Sequence, residues 1–374
     1  MAKATSKTPE GKELTRKELN RATLARQMLL AREHVGAVAA IERLAGSQAQ
    51  LARPPFIGLW TRLEGFQRQD LVGALGRREV VRATMMRCTL HLVSARDYLR
   101  MRPALGAVLG KAMRSVLRER AKDLDVDRLS AAAGAYLAGG PRTFEEIRDH
   151  LETLGLPGDI RAKGYAVRTH LPLVQVPVED TEWGFPGTSA FTPAEAWLGA
   201  RLPAEDGDLR PFVRWYLAAF GPATPADAQT WSGFTSLRET FESLRPELVT
   251  FRDERGRELF DLPGAPRPPA ETPAPVRFLP EFDSLVLAHD DRTRLIADEH
   301  RPRVSTKNLQ VLATFLVDGV VTGTWKIERS RGTAVLALEA FEKVPKNAQG
   351  ELVEEGNRLL RFVEPEAKGW KVEL

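Results

Sequence analysis

Apolar positions recur at helical spacing across residues 14–31, again over 37–44, and once more over 70–75. Over residues 79–94 the period drops to two, which predicts a two-stranded wing. Met86, Cys88, Leu90 and Leu92 alternate there with Arg87, Thr89, His91 and Val93, so the first set is expected to face a core and the second to face outward. Three helical segments followed by a hairpin is the order of a winged helix-turn-helix. Cys88, on the inward set, reads as a small buried hydrophobe and not as a nucleophile.

The same order is expected twice more. Tyr136-Leu137-Ala138-Gly139-Gly140-Pro141-Arg142-Thr143 recurs as Tyr216-Leu217-Ala218-Ala219-Phe220-Gly221-Pro222-Ala223-Thr224. In each copy an apolar helix ends at glycine and a threonine opens the next helix, because a hydroxyl can accept from an orphan N–H of the first turn. Glu146 completes a capping box with Thr143, and Pro225 stands at a first helical position. Helical residues 143–154 then lead to extended residues 171–177, and helical residues 237–244 lead to a hairpin over 248–262. A proline-crowded linker, 263–275, precedes β-rich residues 276–287, 309–317, 320–327 and 334–338, with Asp318-Gly319 as a type I′ turn and a late helix over 347–362. The expected fold is α+β: three tandem winged helix-turn-helix modules plus a C-terminal β-barrel-like domain. The expected divisions are 1–13, a disordered basic tail; 14–122, 123–200 and 201–265, the winged helices; and 276–374, the β-barrel-like domain.

Composition narrows the function classes. The 374 residues carry a net charge of +4, with a pI near 9.2, which suits nucleic acid without requiring it. A single cysteine excludes an internal disulfide and a cysteine zinc cluster. No apolar run approaches the length of a membrane span, and the basic start has no apolar stretch behind it, so the bacterial cytoplasm is expected. Lys111, Arg114, Arg118 and Lys122 succeed one another at spacings of three and four, which places them on one face of an expected helix. That face is either simply solvated or a phosphate-tracking stripe.

Few residues announce chemistry. The chain has no phosphate-cradling glycine loop, no paired metal-ligand spacing and no Ser-His-Asp arrangement, and no cofactor is implied. His289-Asp290-Asp291-Arg292-Thr293-Arg294 is a dense polar cluster, but neighbours on a strand point to opposite faces, so metal binding is set aside and a solvated turn is one reading. Gln48-Ala49-Gln50, just past the helix over 37–44, is in isolation only a polar helix exit.

Context changes the weight of that tripeptide. Leu14-Thr15-Arg16-Lys17-Glu18-Leu19-Asn20-Arg21, Leu44-Ala45-Gly46-Ser47-Gln48-Ala49-Gln50, Gly58-Leu59-Trp60 and Thr89-Leu90-His91-Leu92-Val93 together resemble the AlkZ-like bacterial winged-helix DNA glycosylases. In particular they are similar to the type that confers resistance to azinomycin, whose catalytic motif is Gln-apolar-Gln. The resemblance implies catalysis by Gln48 and Gln50 with support from Asn20 and His91. It also implies DNA contact by Arg87, Thr89, Lys111, Arg114, Arg118, Lys122, Arg292 and Arg294. The implied partner is double-stranded DNA carrying alkylated guanine or interstrand crosslinks, bound by a monomer. The alternative is a non-enzymatic winged-helix regulator, because fold alone does not decide between the two.

Overall fold

The Thr15 hydroxyl accepts from the Glu18 N–H at 3.1 Å while the Glu18 carboxylate accepts from the Thr15 N–H at 2.8 Å. This capping box starts the Arg16–Arg26 helix. The computed structural model describes residues 11–205, 207–306 and 310–374. The expected tail over 1–13 lies largely outside the described residues; its end does not, since Lys12–Leu14 is a strand pairing in parallel with Val249–Asp253.

Among the described residues, three sheets organise the chain. The first joins Lys12–Leu14, Val249–Asp253 and Glu258–Asp261. The second has six strands in the order Ser47–Gln48, Leu90–Ser94, Val80–Thr84, Leu173–Gln175, Ala190–Pro193 and Arg142–Thr143. The hairpin expected as the wing of the first module thus shares one sheet with strands of the second. The third sheet runs Arg277–Leu279, Thr314–Val317, Val320–Ser330, Thr333–Ala340 and Gly369–Glu373.

That last sheet corrects the barrel expectation. It stays open, with Arg277–Leu279 and Gly369–Glu373 as its edges, because the Lys346–Val363 helix packs against both edge strands and fills the space closure would need. Within the expected strand over 276–287 only Arg277–Leu279 is extended, and Ser284–Leu287 forms a short 3-10 turn behind the Asp283 cap. The expected strand residue at 309 lies outside the described residues. Asp318 and Gly319 do take the positive φ values, 48° and 77°, that the turn requires. The Gly319 carbonyl accepts from Asn20 Nδ2 at 2.8 Å, and a Cβ there would fall 2.4 Å from Leu24, so the hairpin tip seats directly on the first helix.

The wing over 79–94 also needs correction. Its second strand begins at Leu90, and Met86–Cys88 belong to the tip, where Arg87 and Cys88 hold φ of 53° and 59°. No face of this hairpin is outward. Val80 and Leu92 pack with Phe56, Ile57 and Leu75 on one side, while Val81, Ala83 and Val93 pack with Phe212 and Trp231 on the other. The helix Pro54–Trp60 lies beside the edge strand Ser47–Gln48 of this sheet. No helix among the described residues is long and apolar enough to cross a membrane.

Buried ion pairs fasten the units together. Arg26 meets Asp261 through two bonds of 2.7 Å, and Arg62 meets Asp283 through two of 2.9 Å. Thr143 and Thr224 cap the Phe144–Thr153 and Pro225–Ser232 helices as expected, each with a reciprocal acid, Glu146 and Asp227. Alanine at either threonine is expected to cost about 1 kcal/mol of unfolding free energy. The larger loss is expected at Thr224, whose partner Asp227 is buried. Urea titration checks both, and a neutral result at Thr224 would deny the cap any share in stability.

Candidate functional site

The Ala37–Arg43 helix stops where Ala45 and Gly46 turn left-handed, with φ of 53° and 84°. A Cβ at Gly46 would lie 2.8 Å from a Val93 methyl, so glycine lets the chain settle against the sheet. The edge strand Ser47–Gln48 comes directly after this turn. Gln48 stands opposite His91, and the Ala49 N–H donates to the Leu90 carbonyl at 2.7 Å. Side chains alternate along such a segment, which puts Gln48 and Gln50 on the side that bears His91 and Ala83 and faces Trp231.

Gln48 is buried and held at one atom. Its carboxamide accepts from Arg87 Nη2 at 2.7 Å. A guanidinium only donates, so the atom turned to Arg87 is the oxygen, and the NH2 group points elsewhere with no protein partner among the described residues. The other terminal nitrogen of Arg87 donates to the Trp231 carbonyl. Arg87 is therefore anchored at once to the edge strand and to the Pro225–Ser232 helix. Gln50 is exposed, and its Oε1 has only the Leu90 N–H, at 3.4 Å, among the described residues. The backbone between the glutamines is rigid: Arg82 donates to the Ala49 carbonyl at 2.8 Å and the Gln50 carbonyl at 3.2 Å, and rests on the Phe185 ring.

His91 is fully buried, contrary to the outward position expected. Its Nδ1 lies 3.1 Å from the Thr89 carbonyl, so that nitrogen carries the proton, and the Nε2 lone pair has no partner among the described residues. Burial, reinforced by the nearby Arg87 charge, pushes its pKa down to about 3. Thr89 itself bonds back to the Met86 carbonyl at 3.1 Å within the tip. Arg292 is partly exposed, donates to the His289 carbonyl at 3.3 Å, and lies near enough to Arg87 to depress its pKa further.

Several expected site residues fall elsewhere. Asn20 does not bond the glutamines; it donates to the Arg294 and Gly319 carbonyls at 2.9 and 2.8 Å and ties the first helix to the C-terminal sheet. Arg294 is buried and donates to the Pro222 carbonyl at 3.0 Å, which removes it from the surface where a phosphate could reach it. The basic stripe is broken. Lys111 and Arg114 are exposed on the Gly106–Leu117 helix, but Arg118 takes φ 49° and ends it, and Lys122 pairs with Glu119 beyond. The polar run 289–294 is irregular, not a turn between strands, and Asp291 is engaged by Arg255 and Arg257. The metal-capable grouping found among the described residues, Glu299, His300 and Glu342, is on the C-terminal unit and mostly exposed.

Arg82 was missed by sequence reasoning. Its signal was a lone arginine within Val80-Val81-Arg82-Ala83-Thr84, a charge that a buried strand tolerates only when it has acceptors to hold. The depressed His91 pKa has a consequence for acid stability. An unfolded imidazole takes a proton near 6.5 and the folded one only near 3, so between those values the unfolded state binds more protons. Stability is lost as pH falls from 6.5 toward 3, by up to ~1.4 kcal/mol per pH unit from this one group. His91→Gln is expected to flatten the acid limb of a Tm–pH curve by that slope. An unaltered limb would mean that His91 is protonated in the fold.

Known proteins are similar to this chain over most of its length. The profile of the family described as "DNA glycosylase AlkZ-like" matches residues 41–362, a span that includes Gln48, Arg87, His91 and Arg292. The "Interstrand DNA cross-link repair glycosylase" of Streptomyces sahachiroi is 26% identical over 323 residues, covering 81% of this chain and 85% of that protein. The solved Streptomyces sahachiroi DNA glycosylase AlkZ superposes with a TM-score of 0.77 at 20% identity, over 96% of this chain and 100% of that one, and so shares the mixed α+β fold. The chain belongs to the AlkZ-like family of DNA glycosylases.

Proposed function

We propose that this enzyme hydrolyses the N-glycosidic bond of bulky N7-alkylguanine adducts in duplex DNA and unhooks interstrand crosslinks. It leaves an abasic site, in self-resistance to an alkylating natural product or in repair. The observation that carries this reading is the Gln48 carboxamide, locked by Arg87 on an edge strand with Gln50 exposed beside it. Alkylation at N7 makes the purine a cation that departs neutral, so little acid catalysis is needed. The requirement is a water held against the anomeric carbon and fixed dipoles for an oxocarbenium-like transition state. Gln50 Oε1 is free enough to orient that water, while Gln48 directs its N–H groups at substrate. Carboxamides are too weak as bases to drive loss of a neutral base, hence selectivity for cationic lesions. The relative from Streptomyces sahachiroi, named for interstrand crosslink repair, supports the same substrate class. Membership in a glycosylase family sets the regulator reading aside.

In this reading three winged-helix modules, 14–122, 123–200 and 201–265, cradle the duplex as a monomer in the bacterial cytoplasm, with the 276–374 unit bracing them. A bulky or crosslinked base cannot be fully extruded, and an open cradle is suited to that limit.

Duplex DNA with one N7-alkylguanine is expected to release free base with no strand cut, because this reading assigns no lysine to form the Schiff base that strand cleavage requires. Gln48→Ala and Gln50→Ala are each expected to lower the single-turnover rate about tenfold to a thousandfold with binding largely kept. Gln50→Asp is expected to widen the range toward less activated adducts. Excision by both alanine variants at the parental rate would remove the glutamines from catalysis. Separately, Lys111→Gln with Arg114→Gln is expected to reduce the slope of log affinity against log salt by about 0.9 for each phosphate no longer neutralised. An unchanged slope returns that face to solvent.

A further inference from the structure

Several buried guanidinium groups away from the glutamines are matched by carboxylates, although Arg102 and Arg294 rest on backbone carbonyls. Arg26 faces Asp261, Arg62 faces Asp283, Arg32 faces Glu355, and Arg21 reaches Asp318. Around Gln48-Ala49-Gln50 the pairing stops. Among the described residues, every acceptor of Arg82, Arg87 and Arg292 is a neutral oxygen: the carbonyls of Ala49, Gln50, Trp231 and His289, and the Gln48 amide. Asp290 is close enough to influence Arg292 but forms no ion pair with it, and Arg301 opposes that influence. Three cations with no counter-ion in a sheltered place is an arrangement that folding alone disfavours.

Arg82 is satisfied on backbone and is committed to holding the motif. The other two retain donors. Arg87 commits its two terminal nitrogens once each and Arg292 only its Nε, so several of their five N–H groups apiece have no acceptor among the described residues. Arg87 joins Gln48 to Trp231 of the Pro225–Ser232 helix, and the 289–294 segment that carries Arg292 meets the same helix, where the Asp290 N–H donates to Asp227 at 2.9 Å. Burial holds Arg87 down to about 10, with the Arg292 charge adding to the effect.

We infer that Arg87 and Arg292 form a subsite for one phosphodiester of the lesion-bearing strand, and that the substrate backbone thereby supplies the counter-charge the catalytic site lacks. The inference deepens the proposed function and rests on it. Without the phosphate, the Arg87 charge on Gln48 and the Arg292 charge near it oppose both a cationic purine and an oxocarbenium-like sugar. With it, the local field turns favourable to both. Recognition of the backbone and the chemistry of the base are then one event, and Arg87 transmits it directly through the Gln48 hydrogen bond.

The test replaces each phosphate around a single N7-alkylguanine, one at a time, with a neutral methylphosphonate. At one position next to the lesion the single-turnover rate of the parental enzyme is expected to fall about tenfold to a hundredfold, the range for losing a charge-assisted hydrogen bond. In Arg292→Gln, and in Arg87→Gln, the same replacement is expected to matter less than about threefold, because the interacting partner is already gone. A flat scan, or full sensitivity retained in both variants, overturns the subsite. Affinity measured over the same scan does not depend on excision. A local binding loss that vanishes in Arg292→Gln upholds the subsite even if no base is released, in which case the reaction assignment alone falls. Excision of the unsubstituted duplex with neither a local rate loss nor a local binding loss overturns the subsite alone.

Discussion

The Arg26–Asp261 pair is the contact on which the assembled site depends. Both side chains are withdrawn from solvent, both oxygens are used, and Arg26 donates as well to the Leu217 carbonyl. One residue of the first helix thus binds the helix and the hairpin of the third unit together. Earlier on that helix, Arg21 and Asn20 grip the Asp318-Gly319 turn of the C-terminal sheet. An isolated charge left behind by losing either partner of such a pair is far more damaging than the pair is beneficial. The Arg16–Arg26 helix therefore sets the spacing between units whose edges compose the site: Gln48 from one, Trp231 from another, Arg292 from a third.

Much of this was legible locally and little of it globally. The Ala37–Arg43 helix, the hairpin at Glu258, the Thr143 and Thr224 caps and the Lys346–Val363 helix arise from periodicity and turn chemistry, which are properties of adjacent residues. The helix Pro54–Trp60 escaped because Pro-Pro-Phe-Ile-Gly-Leu-Trp is apolar throughout and shows no period. His91 was misplaced because an alternating strand exposes one face only if nothing packs there, and Phe212 and Trp231 come from far downstream. Asn20 and Arg294 were misassigned for the same reason. A polar residue that spans two units and one that meets DNA look alike until the partner is known. The two glutamines were legible only through the resemblance, since a carboxamide carries no local signature of chemistry.

Arg26, Arg62 and Arg32 are paired with carboxylates, whereas Arg82, Arg87 and Arg292 meet only neutral oxygens. A neutral imidazole and two carboxamides form the polar floor of the site, so nothing in it titrates near neutrality.

The continuous six-stranded sheet has a mechanical consequence. The hairpin of the first unit and the strands of the second are hydrogen-bonded through Arg82 with Gln175 and Ala83 with Val174, so no flexible joint separates them. On the proposed function, a duplex docked across both would meet a frame that does not hinge, and the elastic work of fitting would fall on the nucleic acid. Stretches of duplex already softened by damage need less of that work than intact ones. Stiffness in the protein would then act as a filter on the DNA before any base is touched.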